Sequence, residues 1–213
     1  MDRISIIIRN RNEAEFIGFA IQSCLDHFDK PQIIVMDNQS KDDSLQVVNL
    51  FSDRTSIEID TIVDYTPGRA INRAVDKCKY DIVLVLSAHC QITEMKLWSV
   101  KENLLKYKAI FGKQTPIYRG KKISRRYIWS HFTPFETVNM YSAIEDRYFF
   151  HNAFTFYDKK FLLANPMPED VPGKEDRFWA KSIVDKGYQY LYDPKLEVNH
   201  FFTNNGATWH GIG

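Results

Sequence analysis

Cysteine is scarce: only Cys24, Cys78 and Cys90 occur in 213 residues, odd in number and widely spaced. That leaves neither a CxxC pair nor a disulfide framework, and it fits a reducing cytoplasm. Glycine (9) and proline (8) are too few for a collagen-like or linker-like chain. Charge of one sign is missing as well. The 28 Lys plus Arg nearly balance the 27 Asp plus Glu, so no global field draws the chain to nucleic acid or to an anionic surface. Long apolar runs are absent too: none approaches the ~18 residues of a membrane span. The opening MDRISIIIRNRNE interrupts its apolar run with Arg9 and Arg11, unlike the hydrophobic region of a signal peptide.

What is present reads as an ordinary globular protein, 44% hydrophobic and 26% charged, long enough for one domain over 1–213. Fifteen Phe, eleven Tyr and four Trp make it rich in aromatics, which pack cores and also stack on sugars. The first 95 residues alternate regularly. Ile4 to Ile8 is a short β-branched run, followed by a helical stripe from Glu13 to Phe28. Gln32 to Met36 is a second strand and Ser44 to Phe51 a second helix, with a weaker strand near Ile57 to Val63. Gly68 to Cys78 places Ala70, Ile71, Ala74 and Val75 on one helical face, and Asp81 to Leu86 is an apolar strand of the kind buried on both faces.

Four strands alternating with helices predict an α/β fold with a doubly wound, mostly parallel, Rossmann-like sheet. The second half, 96–213, is less regular: a helix near Lys96 to Tyr107, strands at Ala153 to Tyr157 and Tyr188 to Tyr192, and a helix from Glu175 to Lys186. This division predicts a nucleotide-binding half over 1–95 and a second half over 96–213 that supplies a different ligand's site, which the resemblance given below makes the acceptor's. Ligands of such sheets sit at the carboxyl ends of the strands. Three of those ends are polar: Arg9-Asn-Arg-Asn-Glu13, Asp37-Asn-Gln-Ser40 and Ser87-Ala-His-Cys90. A carboxylate such as Asp37 can accept a uracil N–H or a ribose hydroxyl, and Arg11 or Arg69 can neutralise a diphosphate.

These segments resemble the inverting family 2 glycosyltransferases of the GT-A fold, over nearly the whole chain. The resemblance is carried by Ser5-Ile-Ile-Ile-Arg-Asn-Arg-Asn-Glu13, Ile34-Val-Met-Asp-Asn-Gln-Ser-Lys-Asp-Asp-Ser44, Pro67-Gly-Arg-Ala-Ile-Asn-Arg-Ala-Val75, Leu86-Ser-Ala-His-Cys90 and Lys174-Glu-Asp-Arg-Phe-Trp-Ala180. It implies a nucleotide-sugar donor held by Arg9, Arg11, Glu13, Asp37, Asn38, Arg69, Asn72 and Ser87. It also implies a glycan or lipid-linked glycan acceptor, and work in bacterial surface polysaccharide synthesis, capsule or O-antigen. The family's DxD triplet after the fourth strand is replaced by Ser87-Ala-His89. His89 then matches the ligand of a divalent metal, Mn²⁺ or Mg²⁺, with His200 as a second candidate and His210 a weaker one. Imidazole suits Mn²⁺ better than Mg²⁺. Glu175-Asp176 matches the family's ED motif, whose second acid takes the acceptor's proton; Glu175 would orient the acceptor or raise the pKa of the base.

Each motif also has a plain structural reading. Asp37 and its neighbours favour helix caps, Glu175 and Asp176 stand where acids stabilise a helix N-terminus, Arg69 and Asn72 suit a helix surface, and His89 suits a hydrogen-bonded turn. The basic, aromatic stretch 119–129 reads either as a solvated face or as a contact for an anionic acceptor or the inner face of the cell membrane. Two other functions compete: a nucleotide- or glycan-binding module without turnover, and a sugar-phosphate nucleotidyltransferase, whose glycine-rich loop RNRNE lacks.

Overall fold

The computed structural model describes residues 3–123, 127–171, 173–204 and 206, and of residues 127 and 128 the backbone alone. The first half follows the sequence pattern closely. Strands β1 (Ser5–Asn10), β2 (Gln32–Asp37), β3 (Ser56–Thr61) and β4 (Ile82–Ser87) alternate with helices α1 (Ile17–His27), α2 (Ser44–Asn49) and α3 (Pro67–Lys77). The four strands pair in parallel in the order β3-β2-β1-β4. Successive strand side chains point to opposite faces, so Ile6 and Ile8 enter the apolar layer with Ile17, Ile21 and Cys24 of α1, while Ile7 enters the layer with Ala70, Ile71 and Ala74 of α3. Both faces of β1, β2 and β4 are covered, which is why these three read as continuous apolar runs, whereas β3 at the sheet edge alternates.

Helix α3 starts where its sequence says. Thr66 Oγ1 accepts from the Arg69 backbone N–H at 3.2 Å and Pro67 fills the first turn, where no amide donor is needed. Gly68 lies so close to the 165–170 loop that an added Cβ would stand 2.1 Å from the Pro168 carbonyl oxygen.

The second half departs from the expected irregularity. Strands β5 (Cys90–Glu94), β6 (Ala109–Tyr118), β11 (Phe154–Asp158) and β12 (Leu191–Phe201) continue the same sheet as β4-β11-β6-β12-β5, with β11 and β5 antiparallel to their neighbours. Around them lie α4 (Leu97–Leu104), the short strands β7 (Lys121–Lys122) and β8 (Thr137–Val138), a 3-10 turn at Tyr127–His131, and the hairpin β9 (Tyr141–Ser142) with β10 (Arg147–Tyr148). Two further helices, α5 (Lys159–Ala164) and α6 (Glu175–Asp185), pack on the α3 side through Leu162, Trp179 and Ile183. The long strands β6 and β12 escape a period-2 reading for physical reasons. In β6, Gly112 stands where a Cβ would meet the Phe154 ring at 2.5 Å, and Pro116 follows. In β12, Pro194 falls at a break in register between Asp193 and Glu197.

Candidate active site

From β1 the chain runs outward to β2 and β3 and then returns to β4 on the other side of β1. The ends of β1 and β4 therefore flank a topological switch point, where an open α/β sheet forms its ligand crevice. A cavity of about 450 Å³ lies there. One wall carries Arg9, Asn10 and Arg11 after β1, Asn38 after β2, and Ser87 and His89 after β4. The facing wall is the first turn of α6, with Glu175, Asp176 and Arg177, joined by His151 and by His200 of β12.

The loops after β1 and β2 are laced together by their own polar side chains. Asp37 is 1% exposed; its Oδ1 accepts from Asn10 Nδ2 at 2.8 Å and from Ser40 Oγ at 2.6 Å, and its Oδ2 from the Ser40 N–H at 3.0 Å. Ser40 Oγ in turn accepts from the Asn12 N–H at 2.9 Å. Asn12 and Gln39 both take left-handed backbone angles, φ 51°, a conformation Asn tolerates better than most residues. Asp37 thus organises the turn behind the cavity wall, and its carboxylate is not among the lining groups.

Glu13 is buried too. Its Oε1 accepts from His89 Nδ1 at 3.1 Å and from Thr203 Oγ1 at 3.1 Å. A carboxylate accepts only, so His89 Nδ1 is the donor in this bond. The His200 ring lies 4.8 Å from that of His89, and its Nδ1 sits 2.7 Å from Gln114 Oε1. Burial first, then the neighbouring His89 and His151, holds His200 well below the ordinary histidine range, so it is neutral at neutral pH. Two imidazoles and one carboxylate thereby meet at the end of β4, but among the described residues no group of three or more His, Cys, Asp or Glu is arranged to hold a metal.

Arg9 joins the two walls: reaching from β1, its Nη1 meets Glu175 Oε1 of α6 at 3.0 Å and its Nη2 donates to the Asn152 carbonyl at 3.2 Å. Asp176, half-buried, accepts from the Arg177 N–H at 2.7 Å. Burial raises the pKa of both acids, Asp176 adding to the effect on Glu175 while Arg9 opposes it. A carboxylate with a raised pKa is a better proton acceptor.

Arg69 and Asn72 are not brought to the cavity. Arg69 Nε donates to Glu169 Oε2 at 3.2 Å, and Asn72 Nδ2 donates to Glu169 Oε1 and the Met167 carbonyl, each at 2.9 Å. These bonds tie α3 to the 165–170 loop. Ser87 does reach the lining, where its N–H donates to the Ala153 carbonyl at 3.0 Å. Sequence reasoning missed Tyr65, Arg147, His151 and Arg177 as lining groups; of these only Arg177 carried a signal, standing beside Asp176 in its motif. In the basic stretch, Arg119 and Gly120 form a left-handed turn before exposed Lys121 and Lys122. Residues 124–126 lie outside the described residues, as does His210.

A doubly wound α/β sheet with a polar crevice at its switch point is the architecture of a nucleotide-handling protein. Residues 5–164 match the family described as "Glycosyl transferase family 2", and the chain belongs to that family. No curated protein sequence matches it. Several solved structures share the fold. S. aureus TarS 1-349 in complex with UDP-GlcNAc is similar with a TM-score of 0.71 at 16% identity, over 98% of this chain and 61% of that one. The mannosyltransferase PcManGT from Pyrobaculum calidifontis, in complex with GDP-Man and Mn²⁺, gives 0.66 at 16% over 96% and 58%. GalNAc-T7 with UDP, GalNAc and Mn²⁺ gives 0.69 at 12% over 96% and 44%. The chain spans about 60% or less of the length of each. The fold is that of GT-A glycosyltransferases, and no helix among the described residues is long and apolar enough to cross a membrane.

Proposed function

We propose that the chain transfers a sugar from a nucleotide-sugar donor to a glycan or lipid-linked glycan by an inverting single displacement, in the synthesis of a surface polysaccharide. The observation that carries the reading is one cavity bounded by the ends of β1 and β4 on one side and by Asp176 on the other. The acceptor hydroxyl gives its proton to Asp176 as its oxygen forms the new bond to the anomeric carbon. The bond from that carbon to the donor diphosphate breaks on the opposite side, so the configuration inverts. Developing charge on the leaving diphosphate falls to Arg11, at the cavity mouth, with Asn38 and Ser87 along the same wall and Asp37 and Glu13 shaping the loops behind it.

Mn²⁺ or Mg²⁺ beside His89 and His200 is part of the proposal at the level of binding only. With two imidazoles available, such an ion would depend on donor oxygens for its remaining ligands. A cytoplasmic site at the inner membrane face, with exposed Lys121 and Lys122 toward anionic headgroups, is the location we propose.

Purified protein given UDP-, GDP-, dTDP- and CMP-linked sugars with a lipid-diphosphate glycan, in Mn²⁺ or in chelator, tests the reading. Transfer with inverted anomeric configuration is expected from one donor class. Retained configuration would exclude single displacement, and nucleotide binding without turnover from any donor would favour the binding module. A metal response unchanged in His89→Ala removes His89 as a ligand.

A further inference from the structure

We infer that Arg9 is a positioning residue: its guanidinium clamps Glu175 and the Asn152 carbonyl, and so fixes the first turn of α6, with Asp176, against the end of β1. The inference rests on the reading of Asp176 as the acceptor's base.

Three observations carry it. First, the Arg9–Glu175 pair at 3.0 Å joins residues 166 apart with side-chain exposures of 15% and 4%. A desolvated pair of this kind strongly penalises loss of one partner, so it acts on geometry more than on net stability. Second, α6 lacks a side-chain cap of its own: its N-cap is Lys174, and no side chain bonds there. Helices ordinarily fix that turn with a Ser, Thr, Asp or Asn. The contact from β1 does not satisfy the free N–H groups, as a cap would; it holds the turn through the Glu175 side chain instead. Third, Asn152 extends the clamp. It contacts Glu175 Oε1 through Nδ2 at 3.5 Å, and its Oδ1 accepts from the Tyr157 hydroxyl. One N–H of each Nη atom is engaged in the clamp, and Nε is buried.

The groups facing the acid pair come from four directions: Arg9 on β1, Tyr65 before α3, His151 and Asn152 with Tyr157 around β11, and Arg177 on α6 itself. Arg9 is the cation that opposes the rise of both carboxyls. Its removal therefore moves the acid limb of activity to higher pH, because the base must be ionised to work.

The test uses the full chain as Arg9→Met, Arg9→Lys, Glu175→Gln and the double variant Arg9→Met/Glu175→Gln. We measure UDP and GDP affinity by calorimetry, urea unfolding, and kcat against pH. In both Arg9 variants nucleotide affinity stays within threefold of wild type. In Arg9→Met kcat falls at least tenfold and the acid limb moves up, whereas Arg9→Lys recovers part of both. The double variant unfolds no more easily than Arg9→Met, since Glu175→Gln removes the stranded acid. Tenfold weaker nucleotide binding with unchanged kcat, or strictly additive unfolding effects, overturns the inference. If Arg9→Met does not fold, Arg9→Lys decides by the same readouts. If wild type transfers no sugar, the functional reading has failed, and the affinities and unfolding cycle still decide what Arg9 does.

Discussion

Asp176→Asn separates a catalytic from a capping role, because the two act on stability with opposite sign. Asn keeps the shape and the first-turn position but cannot take a proton. A positioned general base contributes about 10²- to 10⁴-fold, or roughly 3 to 5 kcal/mol at 1.36 kcal/mol per factor of ten. The kcat of the variant falls by that factor, with the KM for the donor nearly unchanged. Stability moves the other way. Burial raises the pKa of Asp176, so above the unfolded-state value the folded chain binds more protons than the unfolded one, and stability drops as pH rises through that window. Asn carries no such penalty. The variant therefore unfolds at a higher temperature than wild type at pH 7, and the gain disappears at pH 3, where Asp176 is protonated in both states. Were Asp176 only a dipole partner of α6, its loss would cost about 0.3–1 kcal/mol at pH 7. A lower Tm with kcat intact would refute the assignment. The assay pairs donor turnover at saturating acceptor with scanning calorimetry at the two pH values.

Gly68→Ala forces a methyl to within 2.1 Å of the Pro168 oxygen, so the 165–170 loop must move from α3; an overpacking cost of about 1–3 kcal/mol is expected in the urea midpoint, and a neutral result would show that the contact yields freely. His151 is held down to about 4, by burial first and then by Arg9. A histidine with a depressed folded pKa loses stability as pH falls through the window from about 6.5 to about 4. His151→Gln should flatten the pH dependence of unfolding there by up to one proton, and an unchanged slope would refute the shift.

The first half was legible because local pattern and tertiary role agree there. Ile6, Ile7 and Ile8 form an unbroken apolar run since both faces of β1 are covered, and the helical stripe of Gly68 to Cys78 is the buried face of α3. The cavity followed from topology: Arg9, Arg11, Asn38, Ser87 and His89 stand at strand ends that converge. What stayed hidden depends on partners distant in sequence. Nothing local marks β12 as an eleven-residue strand, because Pro194 interrupts it and pairing with β6 resumes beyond the break. Asp37 has the composition of a ligand, yet its two oxygens take Asn10 and Ser40. Arg69 and Asn72 carry a family motif, yet their partners are Glu169 and Met167, about a hundred residues on. Polar side chains near a cleft can serve it directly or brace its walls, and residue type alone does not distinguish the two.

The same distinction bears on the end of β4, where serine and histidine stand in place of two acids. If the crevice takes a donor diphosphate, as proposed, the lack of those two carboxylates lowers the repulsion that a metal would otherwise offset. Two of the acids lining the cavity are already committed, Glu13 to His89 and Thr203 and Glu175 to Arg9, while Asp176 is kept for the acceptor in the proposed mechanism. Arg11 is left at the mouth and Arg177 beside Asp176. Arg11 is a cation whose charge does not depend on a metal's arrival, and on the proposed reading it stands on the donor side. Charge balance on that side can therefore be reached with fewer metal ligands than the family's acidic triplet supplies. On the proposed reading His89, placed by its bond to Glu13, would offer a metal an imidazole nitrogen without restoring the negative charge of the missing carboxylates.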